Sequence, residues 1–130
     1  MGMTLVQYDI CDTQGRIFRY AEHDGWDMRE FTRLYLNSDF CRREMDTVYS
    51  YFQYRSEEAY EFIMTEELSM IPSDNRCPNA YEIGFAYRFL AYKTGRTSAE
   101  IWNDTSFDTV DSMLDRYDYD YDDILIALNK

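Results

Sequence analysis

The chain has 130 residues, which is enough for one domain with one hydrophobic core and too few for two ordinary domains. Hydrophobic residues make up 45% and charged residues 29%, so the composition is that of a folded globular protein and excludes a disordered chain. Asp and Glu number 25 against 13 Lys and Arg, and the net charge of -12 argues against wide contacts with nucleic-acid phosphates or anionic lipids.

The N-terminal residues 4–22 are predicted to form a β-hairpin. Residues 4–11 and 16–22 are rich in branched and aromatic side chains, and they flank a turn-like segment that ends at Gly15. An isolated hairpin is marginally stable in water. We therefore expect its apolar side to pack on the helices that follow.

Residues 27–104 are predicted to be a helical body, since capping residues precede a series of amphipathic patterns. The helices are predicted to begin at Asp27, at Ser38 or Asp39, at Ser56, at Asn79 and at Thr97. The second helix would have one apolar face, formed by Met45, Val48, Tyr49 and Phe52. The third would end at Pro72 and the fourth at Gly95. Asn79 with Glu82, and Thr97 with Glu100, have the spacing of a capping box.

The C-terminal segment 106–128 is predicted to be one long amphipathic helix. Its apolar residues recur every three or four positions, at Phe107, Val110, Leu114, Tyr117, Tyr121, Ile124 and Leu128. Aspartates follow the same spacing along one edge, at Asp104, Asp108, Asp111, Asp115, Asp118 and Asp122. Residues 104–130 hold eight Asp against two basic residues, so about a fifth of the chain carries half of its net charge.

This acidic stripe is the predicted partner-binding surface. Carboxylates on one helix face lie ~5–6 Å apart, comparable with the roughly 6–7 Å between successive phosphates implied by the charge density of a DNA strand. Tyrosine is favoured in protein interfaces, where apolar contact meets a polar rim. We therefore add Tyr119, which flanks the stripe, to the predicted surface. The candidate residues are Asp104, Asp108, Asp111, Asp115, Asp118, Tyr119, Asp120, Asp122 and Asp123. The alternative interpretation is a solvated helix face of an acidic protein.

The strict Tyr-Asp alternation of residues 117–122 also fits an extended segment, which would break the stripe at Arg116. The same aspartates partly match a calcium-binding loop. However, Asp123 stands where that loop needs Gly, and Asn129 where it needs a bidentate Glu. We therefore expect no calcium site.

The sequence contains no strong catalytic or cofactor motif. It lacks a phosphate-binding Gly-rich loop and a dinucleotide motif, and the three cysteines, Cys11, Cys41 and Cys77, are widely spaced. We predict no metal, no other cofactor, no disulfide and a cytoplasmic protein without a membrane span. An enzyme would have to use His23, the only histidine.

Residues 88–105 place Ala91, Gly95 and Ile101 at the small, turn and apolar positions of a helix-turn-helix. Its second helix would present Glu100 and Asp104 to DNA, and their charge has the wrong sign for phosphate contacts. A transcriptional regulator is therefore the second functional hypothesis, and an enzyme is the third.

Residues 39–53, 82–89, 94–95 and 98–101 resemble small helical proteins of clostridial genomes. Those proteins have no assigned function and belong to toxin-antitoxin-like loci on mobile elements. The resemblance covers residues 39–101 and implies a bacterial or phage protein that acts by holding another protein.

Together, these observations predict one mainly α domain over residues 1–130, of α+β type because of the hairpin. The leading functional hypothesis is a non-enzymatic acidic protein that neutralises a basic surface on a nucleic-acid-handling protein, without touching nucleic acid itself. A DNA-mimic inhibitor of the phage anti-defence or anti-CRISPR type and an antitoxin are both of this class. The sequence does not predict the oligomeric state.

Overall fold

The computed structural model describes residues 2–47 and 50–129. Within these residues the chain forms seven α-helices and one π-helical turn, and no β-strand. The helices are α1 (Leu5–Asp24), α2 (Met28–Leu36), α3 (Ser56–Glu66), α4 (Ala80–Thr94), α5 (Ser98–Asp104), α6 (Phe107–Arg116) and α7 (Tyr121–Leu128), and the π-helical turn spans Cys41–Met45. The predicted mainly α class is confirmed. No described helix has the length and apolarity needed to cross a membrane.

The predicted β-hairpin of residues 4–22 is wrong, because this segment is the 20-residue helix α1. Thr4 and Gln7 form a capping box at its start: the Thr4 hydroxyl accepts from the Gln7 N–H at 3.1 Å, and the Gln7 side chain accepts from the Thr4 N–H at 2.9 Å. The helix ends at Gly25, whose φ of 100° is left-handed.

Gly15 lies in the middle of α1, where α4 crosses it, and does not form a turn. A Cβ at Gly15 would lie 2.6 Å from two ring carbons of Tyr81, and a Cβ at Gly84 would lie 2.7 Å from the Phe18 ring. The two glycines therefore let α1 and α4 approach closely. The pairing also forms a hydrogen bond, since Gln14 donates to the Gly84 carbonyl at 2.8 Å.

An aromatic cluster fills the core between α1 and α2. Phe18 meets Phe31 and Tyr35 edge-on, with ring centroids 5.2 and 5.3 Å apart. Trp26 packs on Phe31 at 5.0 Å. These rings are buried, and they join one core that also contains residues of α3 to α7.

The segment between α2 and α3 differs from the predicted helix. The Ser38 hydroxyl accepts from the Cys41 N–H at 3.0 Å, as a cap would, but the helix widens into the π-helical turn and ends at Met45. Val48 and Tyr49, which were predicted on its apolar face, lie outside the described residues. Asp46, the first residue after the π-helical turn, binds a buried arginine, as described below.

Helix α3 begins at Ser56 as predicted but ends at Glu66, before Pro72. The chain then pairs with the junction of α1 and α2. The Asp27 N–H donates to the Ile71 carbonyl at 2.7 Å, and the Ser73 N–H donates to the Gly25 carbonyl at 2.9 Å. These backbone hydrogen bonds take the place of the helical hydrogen bonds that were predicted between Glu66 and Pro72.

The predicted starts of α2 and α5 and the predicted end of α4 agree with the structure. Asp27 caps α2, and α4 ends at Gly95 with a left-handed φ of 69°. Thr97 and Glu100 form the predicted capping box of α5. The predicted capping box of Asn79 and Glu82 is wrong, because the Asn79 side chain makes no cap hydrogen bond and binds Asp111 instead.

The predicted long helix 106–128 is wrong, because it is divided into α6 and α7 at residues 117–120. Asp118 and Tyr119 have φ values of 52° and 61°. Aspartate tolerates this left-handed conformation better than most residues do. The alternative prediction, an extended segment over residues 117–122, would have broken the stripe at Arg116. The stripe is interrupted there, but by a tight turn and not by an extended segment.

Candidate acidic binding surface

The apolar face of the C-terminal segment anchors α6 and α7 to the body. Val110 and Leu114 of α6 and Ile124 of α7 are buried, as the spacing predicted. Tyr121 stacks on Phe85 of α4, with ring centroids 4.5 Å apart. Because both helices pack on the core, the turn between them is held in place.

The turn itself is closed by backbone hydrogen bonds. The Tyr119 N–H donates to the Leu114 carbonyl at 2.8 Å, and the Asp120 N–H donates to the Tyr117 carbonyl at 3.0 Å. The Asp120 carboxylate then accepts from the Asp123 N–H at 3.0 Å and caps α7. Its charge also lies favourably at the N-terminal end of that helix.

Five exposed aspartates surround this turn, and we call them the acidic turn: Asp115, Asp118, Asp120, Asp122 and Asp123. Within the described part of the chain, no ion pair involves any of them. Like charges on neighbouring turns of a chain repel one another. The acidic turn therefore concentrates negative charge without a counter-ion among these residues.

The remaining aspartates of the stripe have partners inside the protein. Asp104 forms an ion pair with Arg96, and Asp108 forms one with Arg29. Asp111 accepts from the Asn79 side-chain amide at 2.9 Å. Asp104 and Asp108 are thus the stripe residues that have a counter-ion within the described part of the chain, and the regular helical spacing ends at Arg116.

Tyr119 joins the acidic turn to the N-terminal end of α4. Its hydroxyl lies 2.9 Å from the Asn79 side-chain oxygen and 3.0 Å from an Asp115 carboxylate oxygen. The hydrogen bond to Asp115, together with burial and neighbouring acidic charge, raises the pKa of Tyr119. Its ring remains 42% exposed, so a partner can still contact it.

The residues of the two alternative hypotheses lie elsewhere. Residues 88–105 do contain two helices joined at Gly95, but α5 has seven residues and exposes Glu100 and Asp104. His23 is exposed near the end of α1. Among the described residues, no group of three His, Cys, Asp or Glu side chains could hold a metal ion.

Sequence reasoning missed a buried polar network around Arg88, which is 1% exposed. Its guanidinium donates to Asp46 at 2.7 Å, to Ser98 at 2.6 Å and to the Cys41 sulfur at 3.2 Å. Ser98 in turn donates to Asp46 at 2.6 Å. The network ties the π-helical turn to α4 and α5. The residues that these hydrogen bonds join are 10 to 52 positions apart, so no local spacing could indicate the network.

The thiols are in surroundings that keep them protonated. Burial raises the pKa of Cys41 to about 11 and that of Cys77 to about 11, and it raises the pKa of Cys11 to about 12. All three cysteines are free. Thiols with such pKa values are poor nucleophiles at neutral pH.

No protein-family model, curated protein or solved structure matches this chain. The resemblance of residues 39–101 to clostridial mobile-element proteins therefore stays a prediction.

Proposed function

We propose that this protein is a non-enzymatic binding protein whose acidic turn docks on a basic surface of a nucleic-acid-handling protein. The observation that carries the proposal is the placement of five exposed aspartates, none with a counter-ion among the described residues, around one turn whose backbone is held by hydrogen bonds. An ordered backbone loses less conformational entropy on binding than a flexible loop does, which favours recognition.

The geometry changes the form of the hypothesis. A continuous helix would have displayed carboxylates at phosphate-like intervals, but the turn at Asp118 and Tyr119 interrupts that spacing between α6 and α7. A short acidic turn suits a basic pocket better than it suits an extended DNA-binding groove. We therefore favour inhibition by plugging a basic site, as an antitoxin or an anti-defence inhibitor would do, over imitation of a length of duplex.

Electrostatics give the expected binding behaviour. The chain's net charge of -12 attracts a basic partner from a distance, and the acidic turn gives the contact its location. Such association is fast and weakens as salt is added, because the Debye length falls from ~30 Å at 0.01 M salt to ~3 Å at 1 M. We place the protein in the cytoplasm, where free thiols and nucleic-acid-handling targets coexist.

The test compares two triple variants that change the net charge equally. One replaces Asp118, Asp122 and Asp123 with Asn in the acidic turn. The control replaces the exposed Glu57, Glu61 and Glu66 of α3 with Gln. Each protein is immobilised and exposed to a nuclease-treated bacterial lysate at low salt, and the retained proteins are identified and then titrated individually at about 0.05 M and about 0.5 M NaCl.

We expect the wild type and the α3 variant to retain the same basic nucleic-acid-binding protein and to release it at high salt. The acidic-turn variant should bind it about tenfold or more weakly at low salt, with a flatter salt dependence. Equal affinity and equal salt slope for both variants would show that the acidic turn is only a solvated face. Nucleic acid retained by the wild type from the same lysate without nuclease treatment would favour the transcriptional regulator.

A further inference from the structure

The turn between α6 and α7 is short and has an unusual backbone. Residues 117–120 separate Arg116, the last residue of α6, from Tyr121, the first residue of α7. Among the described residues other than Gly, only Asp118 and Tyr119 have a positive φ. Residues with a side chain adopt this left-handed conformation at a cost, and usually singly. Two in succession therefore strain the turn.

The sequence that runs through this turn is nevertheless suited to a continuous helix. Tyr117, Tyr121 and Ile124 continue the apolar spacing of Val110 and Leu114 across the break, at intervals of three and four residues. No Gly or Pro interrupts the segment from α6 to α7. The same residues can therefore form two helices joined by a strained turn, or one helix with its apolar positions on one face.

Apolar side chains of α7 hold this helix on α4. The ring of Tyr121 stacks on Phe85, with centroids 4.5 Å apart, and its centroid lies 5.7 Å from that of Phe89. Ile124 is buried in the common core. These contacts do not require α7 and α4 to belong to the same molecule, because a second copy of the chain offers an identical surface on its own α4.

Two features favour the bent form in a single molecule. The Tyr119 hydroxyl lies 2.9 Å from the Asn79 side-chain oxygen and 3.0 Å from an Asp115 oxygen, and straightening would break these contacts. On a continuous helix, Asp115, Asp118 and Asp122 would lie on successive turns, where like charges repel. Aspartate is also a poor helix former. The bent monomer is therefore the form expected at low protein concentration.

We propose that α6 and α7 straighten into one helix and exchange α7 between two copies of the chain, which gives a domain-swapped dimer. Each α7 packs on the α4 of the other copy, so the apolar contacts of the monomer are kept. Asp118 and Tyr119 leave the left-handed conformation, and residues 117–120 gain helical hydrogen bonds. A short hinge that is strained in the monomer favours such an exchange. The inference does not rest on the proposed function.

Two pairs of variants separate the conformation of the hinge from its charge. Asp118→Ala and Asp118→Gly remove the same carboxylate, but Ala favours the straight helix and Gly favours the left-handed turn. Tyr119→Ala and Tyr119→Gly make the same comparison after loss of the hydroxyl. Each full-length protein is refolded at concentrations from about 10 μM to about 1 mM, and its dimer dissociation constant is measured by sedimentation equilibrium.

We expect Asp118→Ala to dimerise far more tightly than Asp118→Gly. The left-handed turn disfavours Ala relative to Gly by about fivefold, and the helix favours Ala by about fivefold. Each chain thus contributes a factor of about 25, and the two hinges of one dimer together give roughly 600-fold. The Tyr119 pair should differ in the same direction, and the wild type should form dimers at the highest concentration.

Mixed labelling shows where α7 lies in the dimer. Asp118→Ala is refolded from equal amounts of isotopically labelled and unlabelled chains, and isotope-filtered NMR selects NOEs between copies. We expect NOEs from the Tyr121 ring of one copy to the Phe85 ring of the other.

Three results would overturn the inference. These are a dimer without NOEs between Tyr121 and Phe85 of different copies, equal dimerisation of the Ala and Gly variants at either hinge position, and a wild type that stays monomeric at the highest concentration. If the variants at Asp118 do not fold, the Tyr119 pair and the wild type decide the question, with the labelling carried out on Tyr119→Ala.

Discussion

Because α1 and α4 cross closely at Gly15, we expect Gly15→Ala to destabilise the protein. In the middle of an ordinary helix the same substitution would stabilise it. Helix propensity alone favours Ala over Gly by ~1 kcal/mol in such a position. Here the new Cβ would lie 2.6 Å from two ring carbons of Tyr81 and 2.9 Å from its carbonyl oxygen. Carbon atoms normally pack 3.5–4.0 Å apart, so the helices must separate by about 1 Å.

Overpacking of this kind costs ~1–3 kcal/mol, and the backbone carbonyl cannot rotate away as a side chain can. We therefore place the cost near 3 kcal/mol and the net destabilisation, after the propensity gain, at about 2 kcal/mol. For a chain of this size that corresponds to a fall in Tm of roughly 6–10 °C. Gly84→Ala should behave similarly, since its Cβ would meet the Phe18 ring at 2.7 Å and the Gln14 carbonyl at 2.9 Å.

The assay is urea and thermal unfolding followed by circular dichroism at the helical band. Gly2→Ala is the control, because nothing lies within 4 Å of its added Cβ. Adding Tyr81→Ala to Gly15→Ala removes the ring clash but leaves the carbonyl, so part of the penalty specific to Gly15→Ala should disappear. If Gly15→Ala raised the free energy of unfolding by about 1 kcal/mol, propensity alone would govern the position and the close crossing would be refuted.

Four further predictions concern the core, the acidic turn and the thiols. Asp46→Ala should lower the free energy of unfolding by ~3–5 kcal/mol, since it leaves the Arg88 charge buried without its carboxylate; a loss below about 1 kcal/mol in urea unfolding would contradict the network. Leu114→Ala should cost ~2–5 kcal/mol because the side chain is fully buried, while the triple Asn variant of the acidic turn should unfold at the same or a slightly higher temperature. With a thiol-specific chromogenic reagent at pH 8, the folded protein should react slowly at Cys77, and Cys41 should react only on unfolding. Burial raises the pKa of Cys41 from 9.0 to about 11 in the folded protein. The stability that comes from burying the protonated thiol should therefore be complete below pH 9 and should be lost as the pH rises towards 11. Urea unfolding measured across that pH range checks this.

Part of the candidate site could be predicted from the sequence. The apolar spacing correctly indicated that Val110, Leu114 and Ile124 face the core, and this in turn leaves the neighbouring aspartates exposed. The net charge and its concentration after residue 104 also follow from the sequence alone. The ion pair of Asp108 with Arg29 could not be predicted from the sequence, since the two residues are 79 positions apart.

Local signals determined the helices whose ends carry their own hydrogen bonds. Asp27 and Thr97 cap the following turn with a side-chain oxygen three residues away, and Gly95 adopts the left-handed conformation that Gly accepts most easily. Such interactions are complete within a few residues. Their residue types and spacing are therefore sufficient to predict them.

Only the tertiary structure decided the broken C-terminal helix, the Arg88 network and the close crossing of α1 and α4. Helix α1 does carry local signals at its ends, the capping box of Thr4 and Gln7 and the left-handed Gly25, but its branched and aromatic residues also fit a strand and Gly15 also fits a turn. Its packing on Tyr81 of α4 could not be predicted from these local signals. Likewise, the turn at Asp118 is stabilised where α6 and α7 both bury apolar residues in the common core. In each case the decisive contacts join residues far apart in the chain, and their energies exceed the weak local preferences from which a sequence pattern is interpreted.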